Sequence, residues 1–335
     1  MSTTAPPTPA VTAHNPDAVQ RSSGLRGRLE QLLAFAGLIV IVVFFAIANE
    51  HFRTFSNLTA ILFATVVIGV LALGTTFVII TGGIDLSIGT GMTLCAVMSG
   101  VFLINFNLPL GVGLVLTVLV GGILGLVNGF NVAILGLPPF IATLAMMLVA
   151  QGLALVISHS APIYFDKLPQ FSELSTGEII PKVPNAVIIL LLLAVVAGLL
   201  LSRTVFGRYT FAIGSNEEAT RLSGINTRKW KLLIYSVAGM FPGVAGIMIS
   251  ARLGSAQPAT GQGYELQAIA AVVIGGTSLT GGKGSILGTI IGALIISVLN
   301  NGLSIMSIPQ EWQNVILGIV ILGAVVADMA RKRTT

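Results

Sequence analysis

The chain has 335 residues, with 17 Lys and Arg against 12 Asp and Glu, a net charge of +5, and only 9 % charged residues. Soluble domains carry about 25 % charged residues, so a chain that is 54 % hydrophobic with a mean hydropathy of +0.96 cannot cover a water-facing surface. A soluble enzyme, a disordered chain and a nucleic-acid-binding domain are excluded, and a multi-spanning membrane protein remains.

Residues 1–24 are rich in Pro, Thr, Ala and Ser and read as disordered; with Arg21, Arg26 and Arg28 they form a cytoplasmic tail through residue 31. The first apolar run covers 32–48. It ends in an Ala-Ile-Ala that resembles a cleavage site, but the long polar stretch before it and the many runs after it favour an uncleaved helix. Further runs follow at 58–81, 86–106, 108–132, 140–157, 186–201, 232–250, 266–280, 286–303 and 312–327, and residues 329–335 form a basic tail. A span needs about 20 apolar residues, so ten spans leave room for loops and none for a separate soluble domain. Short or broken helices are as plausible as full spans near Asp85, Pro109 and Gly282, where no polar loop separates the runs.

The charges orient the chain. With ten spans and both termini cytoplasmic, 13 of the 17 basic residues fall inside, and only Arg53, Lys167, Lys182 and Arg252 fall outside. That excess also accounts for the pI of about 9.7 without nucleic acid. Two loops stand out by length: an outside loop at 158–185, stiffened by four prolines, and an inside segment at 202–231. Gly121, Gly125 and Gly129 are four apart, as are Gly284, Gly288 and Gly292, so each triplet lines one helix face for close packing, within one chain in preference to a dimer seam. A short echo relates Thr81-Gly82-Gly83 with Gly89-Thr90 to Thr280-Gly281-Gly282 with Gly288-Thr289.

Chemistry-bearing patterns are scarce. The stretch from Gly276 to Gly284 fails as a P-loop, because Thr277 stands where the first Gly belongs and Gly284 replaces the Ser or Thr. No run carries a charge at its centre, which argues against a proton relay; Asp85, Glu265, Glu311 and Asp328 lie near ends of runs. No zinc-protease helix, paired inward carboxylates or nucleophile elbow occurs. His14, His51 and His159 lack ligand spacing, and the single Cys95 reads as a small buried hydrophobe. No metal and no cofactor is expected on this chain.

The inside segment is more informative. Residues 214–226 read as a short helix capped by Ser215 or Asn216, with Glu217 and Glu218 at its positive end and Gly224 to stop it. Ala219, Leu222 and Ile225 form an apolar strip, and with Arg221 as its one basic residue the helix favours a protein groove over a lipid surface.

Four ordered stretches then resemble one family. They run from Ala72 to Gly89, including Gly82-Gly83-Ile84-Asp85-Leu86-Ser87; from Asn128 to Leu144; from Gly207 to Asn226; and from Ala270 to Ser285. The chain resembles the membrane permease of bacterial ATP-binding-cassette importers of the ribose and monosaccharide class, within the superfamily that also serves branched-chain amino acids. The resemblance implies an all-α fold of about ten transmembrane helices, paired with a second copy or a close paralogue. It also implies cytoplasmic ATPase subunits that hold ATP and Mg²⁺, and a periplasmic or lipid-anchored sugar-binding protein received by the outside loop. Carried onto this chain, Gly214, Asn216, Glu217, Glu218, Ala219, Arg221, Leu222, Gly224, Ile225 and Asn226 couple to the ATPase within the segment 207–231. Asp85, Asn128, Asn131, Phe140, Thr143, Gln151, Gln267, Asn300 and Asn301 are candidates for the translocation path, with helix-to-helix hydrogen bonding as their competing role. Asp85 has a further alternative, bracing a helix break by accepting backbone N–H bonds. The alternative substrates are a nucleoside, an autoinducer or a branched-chain amino acid; an ion-coupled carrier is the alternative of another class.

Overall fold

A computed structural model describes the backbone of residues 16–333 and the side chains of 32–326. Each apolar run carries a helix, in the order α1 (Pro16–Ala48), α2 (Phe55–Ile80), α3 (Ile88–Gly100), α4 (Leu110–Ala133), α5 (Pro139–Ile157), α6 (Pro169–Thr176), α7 (Asn185–Arg203), α8 (Val205–Ser215), α9 (Glu217–Leu222), α10 (Thr227–Leu253), α11 (Tyr264–Ile274), α12 (Ile286–Ile305) and α13 (Gln310–Arg333). The strands among the described residues are β1 (Ile163–Tyr164) and β2 (Ser255–Ala256), which pair antiparallel. Seven helices among the described residues are long and apolar enough to cross a membrane, counting α3 together with the π-helical Val101–Asn105 that continues it; the apolar stretches Leu32–Ala48, Tyr264–Ile274 and Gln310–Val326 are shorter. Helix α1 takes in Pro16–Ala48, so the backbone of 16–31, expected as tail, is helical. Residues 1–15, and 334–335 of the basic tail, lie outside the described residues.

Helix α2 is the centre. It is apolar all round, and every residue from Thr65 to Ile80 is buried, among α10, α12, α11 and α7. Around it, α4, α5, α7 and α13 turn large apolar side chains outward, among them Leu148, Val156, Leu192, Ile319 and Leu322. Water would penalise such a surface, whereas lipid tails match it.

The glycine triplets pack within the chain. A Cβ at Gly121 or Gly125 would strike the backbone of α10 at Gly239 and Tyr235, and Gly129 faces Leu232. The second triplet does the same: Gly288 lies on Gly275, Gly292 on Ala271, and Gly284 against the Ile80 side chain.

Two helices begin inside the bundle. The break at 81–87 delivers the chain to α3, where Gly91 packs on Pro242 and Met92 on Gly246, near the middle of the 27-residue α10. The run at 266–280, expected as a span, contains only the 11-residue α11, about 16 Å long at 1.5 Å per residue. Gly275 and Gly276 end that helix early, Gly276 at φ +89°.

Candidate functional site

The segment 202–231 stands on aromatic contacts. The Phe206 ring meets Phe77 edge-on at 5.3 Å, Phe77 meets Phe241 at 5.8 Å, and Tyr209 meets Trp230 at 4.7 Å, which fixes α8 to α2 and to the first turn of α10. Two asparagines then divide what reads in sequence as one helix from 214 to 226. Asn216 is extended, at φ −161° and ψ 101°, and its Oδ1 accepts the Ala219 amide at 2.9 Å, so α8 ends and α9 starts there. Gly224, at φ +82°, turns the chain, and Asn226 Oδ1 accepts the Lys229 amide at 3.1 Å to cap α10. Gly214 therefore belongs to the last turn of α8, and Ile225 and Asn226 lie beyond α9.

The expected apolar strip is rearranged. Thr220 is the buried member of α9 and Ile225 is half-buried, while Ala219 and Leu222 are exposed, Leu222 at 78 %. Glu217 pairs with Lys231 at 2.5 Å, tying α9 to α10, and Glu218 with Arg221 at 2.6 Å. Its hydrogen bond to Glu218 holds the Arg221 guanidinium above its ordinary pKa. Exposed pairs contribute little stability, so the caps and the aromatic contacts, more than the charges, hold this short helix outward.

Gly214 joins the segment to the bundle. A Cβ there would run into the Ile80 carbonyl at the end of α2 and approach Gly282 N at 2.7 Å. The Gly282 amide donates to that same carbonyl at 2.9 Å. Gly281, at φ +85°, adopts a left-handed conformation open to glycine, close beside Gly82 N and Gly214 O. The two Thr-Gly-Gly turns of the sequence echo thus meet each other, and the end of α8 meets both. Deeper in, Thr76 Oγ1 lies 2.8 Å from Thr289 Oγ1.

The path candidates separate into groups. Asp85 is buried in the α2–α3 break; its Oδ1 accepts the Ser87 amide at 2.8 Å and the Ser87 hydroxyl at 2.6 Å. Asn128 donates to Ser87 Oγ at 2.8 Å and faces Asp85 at 3.4 Å, and Thr143 donates to the Ile84 carbonyl at 3.1 Å. Sequence reasoning missed Ser87 and Tyr235 here. Asn128 Oδ1 and the Tyr235 hydroxyl, which stands against Gly83, have no hydrogen-bond partner among the described residues. A polar residue two after an Asp was the available signal for Ser87; a lone Tyr in an apolar helix was a faint one for Tyr235. Elsewhere Asn300 donates to Gln267 at 3.1 Å and Asn301 to Asn57 at 2.8 Å, both helix-to-helix bonds. Asn131 and Gln151 are half-buried, and Phe140 is exposed. The structure does not bring these residues into one site. No group of three or more potential metal ligands occurs among the described residues.

Comparison with known proteins adds to this geometry. Residues 57–325 match the family described as branched-chain amino acid transport system / permease component. The chain is 40 % identical to the ribose import permease protein of Haemophilus influenzae over 298 residues, 88 % of this chain and 92 % of that protein. It is 42 % identical over 313 residues to the ribose import permease protein of Bacillus subtilis, covering 92 % and 95 %. Similarity extends to the D-allose transport system permease protein of Escherichia coli, 36 % identical over 293 residues, 87 % of this chain and 88 % of that one. No solved structure matches.

Proposed function

Because the chain belongs to the family of permease components of branched-chain amino acid transport systems, we propose that it is the membrane subunit through which an ATP-binding-cassette importer passes a monosaccharide, with ribose the favoured sugar. The relatives that carry this reading are ribose, allose and xylose permeases, each aligned over most of both chains. It is a multi-pass protein of the bacterial cytoplasmic membrane. Seven long apolar helices, the shorter stretches at 32–48 and 310–326, and α11 taken together with the segment that leads into it support ten crossings, and the basic residues support cytoplasmic termini.

ATP and Mg²⁺ are assigned to cytoplasmic ATPase partners, and the sugar is delivered by a binding protein docking on the loop at 158–185. A second copy of the chain completes the pathway. The observation that carries the ATPase contact is α9: a capped helix held outward on α8 and α10, with Leu222 bare at its surface. Movement of α9 reaches the bundle through Gly214, whose backbone touches the end of α2 and the turn before α12. Nucleotide on one face and loaded binding protein on the other then bias a two-state change in which face is open. Asp85, Asn128 and Thr143 brace the α2–α3 break, and Gln267 and Asn300 join α11 to α12; in this reading they shape the path more than they bind sugar.

Leu222→Asp tests the reading. The variant is expected to insert normally and to lose ATPase subunit association by about tenfold or more, since truncating or charging a central apolar contact costs about 2 kcal/mol. Unchanged association and unchanged ribose uptake would remove α9 from the interface.

A further inference from the structure

The segment between α10 and α11 turns back into the bundle. Ser255 and Ala256 pair with Tyr164 and Ile163, and the Phe165 amide donates to the Gly254 carbonyl at 2.9 Å, so this segment starts where α10 finishes, attached to the outside loop. A few residues later Gly261 lies on Gly89 and Thr93, where a Cβ would strike the Gly89 carbonyl and the Thr93 hydroxyl. Gly89 is the second residue of α3, two before the contact of Gly91 with Pro242 at mid-length of α10. The chain has therefore re-entered to about half the length of α10 before α11 begins.

Glu265, in the first turn of α11, sits at this meeting point. Both carboxylate oxygens accept the Gly263 amide at 3.1 Å, and Oε2 occupies the space that a Cβ on Gly89 would need. The ion pairs among the described residues both lie within 217–231, so this half-buried carboxylate has no cation paired with it there. Its neighbours are the starts of α3 and α11, whose free amides carry partial positive charge; Asp85 meets the Ser87 amide on one side of the α3 start, and Glu265 is the carboxylate placed between the two starts.

We propose that Glu265 is a positioning residue for transport: its carboxylate holds the starts of α3 and α11 together inside the bundle, and docking on the outside loop controls that contact through the β1–β2 pair. The inference rests on the permease reading above, which supplies the docking partner and the energy source. It also gives both glycines a reason to lack side chains: the carboxylate and the re-entrant backbone take up the volume at Gly89, and the α3 backbone and the Thr93 hydroxyl take it up at Gly261.

The test uses the full transporter, with its ATPase and binding protein, in lipid nanodiscs. The quantity read is the factor by which ribose-loaded binding protein stimulates ATP hydrolysis. Glu265→Gln keeps the shape and removes the charge; it is expected to assemble and to lose stimulation by about five- to thirtyfold. Glu265→Asp, which keeps the charge on a shorter arm, recovers part of that loss. Gly89→Ala displaces the carboxylate and gives a similar loss, and the double variant Glu265→Gln with Gly89→Ala is no worse than either single one, as expected for two changes at one contact. Wild-type stimulation in Glu265→Gln, losses that multiply in the double variant, or failure of Glu265→Gln to assemble would each overturn the inference. Absence of stimulation in the wild-type complex overturns the permease reading itself, and this inference with it.

Discussion

Asp85 shows what one buried side chain holds in place. Its Oδ1 receives the amide and hydroxyl of Ser87, and Asn128 stands on the same pair, so the irregular stretch between α2 and α3 is closed by side-chain bonds where helical ones stop. Asp85→Ala orphans these donors and is expected to cost about 2–4 kcal/mol. Asp85→Asn retains an acceptor oxygen and should keep most of the stability. Thermal unfolding midpoints in detergent compare the two; equal losses would mean that volume, not hydrogen bonding, matters at this position. This cluster was partly legible in the sequence, because the Asp-Leu-Ser spacing is local and Asp85 stands out in a glycine-rich break. Tyr235 and Glu265 were not, since each acquires its meaning from a partner more than a hundred residues away, Gly83 for the first and Gly89 for the second.

Between elements, the decisive contact is that of α4 with α10. Gly121, Gly125 and Gly239 bring two backbones together where any side chain would intrude. Gly125→Ala should therefore destabilise by about 1–3 kcal/mol, the usual penalty of overpacking. Gly152, in α5, has nothing within 4 Å of its Cβ direction. There Gly152→Ala should be neutral or stabilising by up to about 1 kcal/mol through helix propensity. Opposite signs in the same unfolding assay are the expected result, and equal effects would remove the packing argument. The four-residue glycine period announced this contact before any fold was known. The shortness of α11 was hidden, because the apolar run continues through Val272–Ile274 into Thr277 and Leu279, and hydropathy does not register a helix that ends early at Gly275 and Gly276. The division of 214–226 by two asparagine caps was likewise masked, since Asn216 and Asn226 suit both a cap and a loop.

For the whole molecule, the sorting of basic residues makes a directional statement that labelling can check. Native Cys95 is fully buried, so single introduced cysteines can be read against it. Lys167→Cys, in the outside loop, is expected to react with a membrane-impermeant maleimide on intact cells. Leu222→Cys should react only after permeabilisation, and the reverse pattern would invert the assigned orientation. Helix α2 has a consequence for biosynthesis. Its covering helices α7, α10, α11 and α12 all come later in the chain, so at about 5–20 residues per second it waits on the order of ten to forty-five seconds after leaving the ribosome for α12 to follow. During that interval acyl chains must occupy the sites that protein will later fill. The all-round apolar surface of α2, which looks like over-provision for a buried core helix, makes the wait tolerable: the segment is soluble in the bilayer first and in its own protein afterwards.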